Sequence, residues 1–169
     1  MNTDKKIIKY DDLQKLGQSY RKAEKSVVFT TGCYDILHLG HVIHFNYCKN
    51  QGDILIVSIG NDKTLRDLKG PTRPINPEGF RARMIAALEL VDHVVISEEH
   101  GIMDHSRQVE LLRPDVYVVP ITDKYLDEKA ELVESNGGVI HTCRRLPPNH
   151  KKGGISTSMI EEKLEEEKV

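Results

Sequence analysis

The chain has 169 residues, with 24 Lys plus Arg against 26 Asp plus Glu and a formal net charge of -2. This length suits a single domain that buries its core without disulfides or metals. The balanced charge argues against a general nucleic-acid binder, and no apolar run approaches the ~20 residues of a membrane span. Domain 1–169 divides into a lead-in over 1–25, a core over 26–160 and the end of a terminal helix over 161–169.

The start, MNTDKKIIKYDD, lacks the apolar core of a signal peptide. Three scattered cysteines, Cys33, Cys48 and Cys143, make no disulfide framework, so a cytoplasmic location is expected.

Residues 11–25 read as a surface helix. SVVFTT (26–31) is a short β-branched run and predicts a buried strand, broken by Gly32. Residues 40–51 have helical spacing and end at Gly52. DILIVSIG (53–60) predicts a second strand. Residues 61–78 hold Pro71, Pro74 and Pro77 and read as a helical turn followed by a mobile loop. A helix is predicted over 78–90, a strand over 92–97, a helix over 104–112 and a strand over 115–119. A helix over 126–135, a strand over 139–143, a basic loop over 144–154 and a helix over 158–168 complete the pattern.

Strands alternating with helices predict an α/β fold, with a five-stranded parallel sheet and right-handed crossovers. Ligands in such sheets sit beyond the carboxyl ends of the strands. The loop after the first strand is TTGCYDILHLGH, with His38 and His41 bracketing Gly40 at a helix start. Unpaired N–H groups and the helix dipole suit a phosphate there. The imidazoles would add hydrogen-bond donors for developing charge, and Gly40 would permit close approach. Neither GxxxxGK[ST] nor GxGxxG is present. Two other readings stay open at this point. His38, His41 and His44 recur every third residue, as metal ligands could, and helix-start histidines can also be structural.

TTGCYDILHLGH resembles the HxGH signature of the nucleotidyltransferase superfamily. The likeness spans residues 27–160 and is strongest to the adenylyltransferases of ADP-heptose synthesis, with the glycerol-3-phosphate cytidylyltransferases as near relatives. It implies a three-layer, Rossmann-like nucleotidyltransferase fold. It also implies transfer of a nucleoside monophosphate from NTP, ATP favoured, to a sugar phosphate such as heptose 1-phosphate. Pyrophosphate would leave, with Mg²⁺ as cofactor and a homodimer as the assembly. A CTP-dependent enzyme for a polyol phosphate is the alternative, and a non-catalytic nucleotide-binding module is the rival outside enzymes.

By position the resemblance assigns His38, His41, Lys69 and Arg81 to catalysis. Lys69 stands in Lys69-Gly70-Pro71-Thr72-Arg73-Pro74, like a Lys-Gly-x-x-Arg-Pro loop of the family. Thr31, Gly32, Cys33, Tyr34, Gly40, His41 and Asp123 would meet the nucleotide. So would Lys151 and the run Ile155, Ser156, Thr157 and Ser158, which resembles an Ile-Ser-Thr-Thr motif. Ser158 with Glu161 also fits a capping box. Asp35, His44, Asn61, Asp62 and Arg73 would meet the acceptor, and Asp35 could equally cap its own turn.

Two departures stand out. Residues 119–123 read VPITD where the heptose branch has a glycine-rich Gly-x-Asp stretch, and Lys151 replaces an arginine. Lys supplies charge but not the arginine fork. Windows 63–83 and 141–154 each carry a net charge of +4, which the near-neutral total conceals.

Overall fold

The computed structural model describes residues 3–144 and residue 160. Five strands, β1 (Val27–Gly32), β2 (Ile54–Ile59), β3 (His93–Ile96), β4 (Val116–Pro120) and β5 (Val139–Cys143), form one sheet in the order β3-β2-β1-β4-β5. Every pairing is parallel, with Phe29 opposite Ile56 on one side and Tyr117 on the other.

Six helices are described: α1 (Leu13–Lys22), α2 (Leu39–Lys49), α3 (Asp62–Lys69), α4 (Glu78–Ala86), α5 (Ser106–Leu112) and α6 (Leu126–Ser135). The central strands β1, β2 and β4 are largely buried on both faces, as strands covered twice must be. Successive residues serve opposite cores. Val28, Leu55, Val57 and Val118 pack with Phe45 and Cys48 of α2 and Ala82 and Ile85 of α4. Phe29, Ile56, Tyr117 and Val119 pack with Leu13 of α1, Val109 and Leu112 of α5 and Val133 of α6. The result is the expected three-layer α/β architecture.

Three details differ from the sequence reading. Residues 62–69 form a full helix, not a turn, because Asn61 accepts the Thr64 N–H at 2.8 Å as its cap and the prolines begin only at Pro71. The loop that follows is pinned to Asp35, as described below. The predicted helix over 78–90 stops at Ala86.

The lead-in also joins the sheet. Ile7 pairs in parallel with Val94, the Ile8 N–H donates to the Val94 carbonyl, and Lys6 Nζ donates to the Leu88 and Val91 carbonyls. The basic loop over 145–154 and the helix expected over 158–168 lie outside the described residues, residue 160 apart. Among the described residues no helix is long and apolar enough to cross a membrane.

Candidate active site

Strand order reverses between β1 and β4, where a parallel sheet opens a crevice at its carboxyl edge. A cavity of about 440 Å³ lies there, bounded by the end of β1, Gly60 after β2, the loop after β3 and Asp123 after β4. His38, His41 and Lys69 line it. A larger groove of about 760 Å³ runs between the lead-in and α3, but it contains neither motif histidine.

The local sequence explains how the histidines are presented. Tyr34 adopts φ 50°, in the left-handed region, which turns the chain sharply after β1. Its ring folds back so closely that a Cβ on Gly32 would lie 2.8 Å from it. Gly32 is therefore required by the packing of Tyr34. His38 is the extended residue before α2, and its carbonyl accepts the His41 N–H at 2.9 Å. The two imidazoles stack with centroids 3.8 Å apart, and the Tyr34 ring meets His41 edge-on at 5.0 Å. This sets two ring nitrogen pairs beside a helix N-terminus, where a polyphosphate gains most from fixed donors.

Thr31, Gly32, Cys33, Tyr34, Asp35, Arg73 and Asp123 also line the cavity. Thr31 Oγ1 pairs with the buried Tyr117 hydroxyl at 3.0 Å, and burial raises that phenol well above its ordinary value. Burial likewise raises the Cys33 thiol, which stays protonated at neutral pH and is no ready nucleophile. Gly40 is buried in the first turn of α2 behind the histidines.

Asp35 faces the cavity but works locally. Its carboxylate accepts the Ile75 N–H at 2.9 Å, the Asn76 N–H at 2.9 Å and Arg73 Nη1 at 2.9 Å. Burial pushes the carboxyl up, but these donors outweigh it and hold it below the usual range. Asp123 accepts Lys129 Nζ at 2.8 Å and the Tyr125 N–H at 2.9 Å. There too burial raises the carboxyl and the Lys129 partner overcomes it.

Arg81 corrects the expectation of a phosphate contact. It is fully buried, and its guanidinium donates to the Asn76 carbonyl at 2.9 Å, the Cys33 carbonyl at 2.7 Å and Asp62 Oδ1 at 2.8 Å. Asp62 is tied in turn to Glu78. Each accepts the other's backbone N–H at 2.8 Å. Asn61 spends its side chain on the α3 cap and on the Ser97 and Glu99 carbonyls. Arg81, Asp62 and Asn61 therefore brace the loops and do not line the histidine cavity.

His44 is a second correction. It lies on the inner face of α2, fully buried, with Nε2 2.7 Å from Thr30 Oγ1 and Nδ1 2.8 Å from Cys143 Sγ. It is buried in the core and does not line the cavity. Among the described residues no three His, Cys, Asp or Glu stand together as metal ligands. Lys151, Ile155, Ser156, Thr157 and Ser158 lie outside the described residues.

Sequence reasoning missed Asp104, His105 and Lys129, which all line the cavity. Asp104 and His105 follow a short glycine-containing loop after β3, at a strand's carboxyl end, which is the one signal that could have marked them.

Comparison with known proteins agrees with the signature. A family model described as cytidylyltransferase-like matches residues 29–163. The bifunctional protein HldE of Campylobacter jejuni is 36% identical over 168 residues, 99% of this chain and 33% of that protein. HldE of Syntrophotalea carbinolica is 38% identical over 165 residues, 96% of this chain and 32% of that protein. The chain thus spans at most a third of the length of these curated relatives.

A lipopolysaccharide core biosynthesis protein from Thermoplasma volcanium superposes with a TM-score of 0.60 at 29% identity, over 71% of this chain and 95% of that one. A pantoate-beta-alanine ligase from Francisella tularensis shares the fold at a TM-score of 0.57 and 14% identity, over 96% of this chain and 78% of that one. On its signature, its fold and the extent of these matches, the chain belongs to the cytidylyltransferase-like family of nucleotidyltransferases.

Proposed function

We propose that this domain transfers a nucleoside monophosphate from NTP, with ATP favoured, to a sugar phosphate such as heptose 1-phosphate, releasing pyrophosphate. The observation that carries the reading is the stacked pair His38 and His41 at the N-terminus of α2, inside the cavity and with Lys69 on its wall. The resemblance to the ADP-heptose branch and the likeness to a lipopolysaccharide core biosynthesis protein of Thermoplasma volcanium support the choice of acceptor.

An oxygen of the acceptor phosphate attacks the α-phosphorus in line. A P–O bond forms, the bond to the β-phosphate oxygen breaks, and pyrophosphate carries away the electron pair. A phosphate monoester is largely ionised near neutral pH, so the attack needs no general base. The protein's task is positioning and charge stabilisation. His38 and His41 hold the α- and β-phosphates, and Lys69 neutralises the leaving pyrophosphate. Arg73, with its charge shared with Asp35, shapes the adjoining wall. Lys151 and the Ser156-Thr157-Ser158 run complete the nucleotide site in this reading.

Magnesium would enter bound to the nucleotide and shield its phosphates, as this ion commonly does. A cytoplasmic location and a homodimer belong to the same proposal and rest on the family resemblance, the first also on the small number of cysteines, three in the chain.

The test is pyrophosphate release from ATP and from CTP, each with heptose 1-phosphate and with glycerol 3-phosphate. ATP with the heptose phosphate is the expected productive pair. CTP with glycerol 3-phosphate would assign the domain to the cytidylyl branch. Nucleotide binding without release from any pair would make it a sensing module.

A further inference from the structure

One corner of the cavity is chemically unlike the rest. Thr64, Asp104 and His105 meet there, each more than nine-tenths buried and each lining the cavity. Among the described residues, Thr64 Oγ1, Asp104 Oδ2 and His105 Nε2 have no hydrogen-bond partner. Buried polar atoms are normally paired, so three orphans at one cavity corner require an explanation.

The corner is also held open by sequence. A Cβ on Gly60 would stand 3.2 Å from Asp104 Oδ2 and 3.3 Å from Thr64 Cγ2. Asp104 is fixed from its backbone by Ser97, whose hydroxyl donates to the Asp104 carbonyl.

The donor and acceptor roles follow from geometry. With a proton on His105 Nδ1, which lies 3.6 Å from Asp104 Oδ1, Nε2 is left as an acceptor. Burial lowers the His105 pKa and keeps the ring neutral near pH 7. Asp104 Oδ2 accepts only, and the Thr64 hydroxyl can do either. The corner therefore asks for hydrogen-bond donors. A phosphate is the wrong guest, since it would face a carboxylate with no proton to offer. The cation near His105, Lys129, already donates to Asp123 at 2.8 Å, while His38, His41 and Lys69 line the other part of the cavity.

We infer that Thr64, Asp104 and His105 form the subsite for the uncharged, hydroxyl-rich end of the acceptor, and that they select a polyhydroxylated phosphate over a plain one. The inference rests on the transferase reading above. The cavity is then polarised, with phosphates at the histidine end and sugar hydroxyls at the Asp104 end.

Two near-isosteric variants test it, Thr64→Val and Asp104→Asn. Pyrophosphate release is measured with ATP and heptose 1-phosphate, varying each in turn. The acceptor KM should rise about tenfold in each variant, the scale of one lost hydrogen bond to a buried site, with the KM for ATP within about twofold. Thr64→Val should also melt at or above the wild-type temperature, because it replaces an unpaired buried hydroxyl by a methyl of the same shape.

An unchanged acceptor KM overturns the inference. So does a parallel rise in the KM for ATP, which would place the nucleotide in this corner. If the wild-type chain releases no pyrophosphate, the transferase reading fails and calorimetric titration with heptose 1-phosphate decides. Binding by the wild type that weakens about tenfold in Thr64→Val supports the subsite. Equal binding by both, or no binding by the wild type, overturns it.

Discussion

Lys69 and Arg81 lie in the same charged stretch after β2, yet Arg81 is sealed beneath the loop after β1 while Lys69 reaches the cavity beside it. The Arg81 guanidinium is consumed by two carbonyls and Asp62, and through Asn76 and Asp35 it fixes the wall that carries Arg73. The histidine end, by contrast, keeps Lys69 along an open cavity. Positive charge at the carboxyl edge of this sheet thus has two uses. One part lines the cavity, and the other holds the loops that shape it.

The sharpest way to break this contrast is Arg81→Ala. Arg81 is fully buried and its loss leaves two carbonyls and Asp62 without their donor, so Tm should fall steeply by calorimetry. A variant that melts like the wild type would show that the buttress is not structural.

His41→Ala should do the reverse. Turnover should drop at least ~100-fold, the scale of one preorganised donor, while Tm falls far less than in Arg81→Ala. Lys69→Ala should be milder, about tenfold in kcat/KM, because an exposed ammonium is a replaceable source of charge. Equal losses at His41 and Lys69 would remove the distinction between a fixed donor and a mobile one.

The smallest effect concerns Asp35. Its folded pKa is depressed, so its stabilising contribution is present above the unfolded carboxylate value of about 4 and is lost as pH falls through the folded value. The Tm of Asp35→Asn should lie below wild type at pH 7, and the gap should close as pH falls below about 4. A constant gap would mean that the hydrogen bonds to residues 75 and 76 do not depend on the charge.

The fold was legible because strand composition and turn signals carry it. SVVFTT and DILIVSIG are apolar on both faces, and only a doubly covered sheet buries both. The lead-in was less legible, since pairing of Ile7 with Val94 is a contact between residues far apart in sequence. His38 and His41 could be read because a helix start with a glycine between two imidazoles is a local pattern.

Arg81 and His44 misled for one shared reason. Residue type announces what a side chain can do, while burial decides whether a ligand can reach it. The partners that bury them, Asp62 and Asn76 for one, Thr30 and Cys143 for the other, come from other elements of the fold. Asp104 and His105 escaped notice because their role depends on Gly60 and Thr64 across the crevice.

The central claim is that the cavity at the β1 end transfers a nucleotide to a sugar phosphate. Its most direct test is pyrophosphate release from ATP and heptose 1-phosphate, wild type beside His41→Ala. The account predicts steady release by the wild type and at least ~100-fold less by the variant. No release by the wild type, or equal rates in the two proteins, would contradict it.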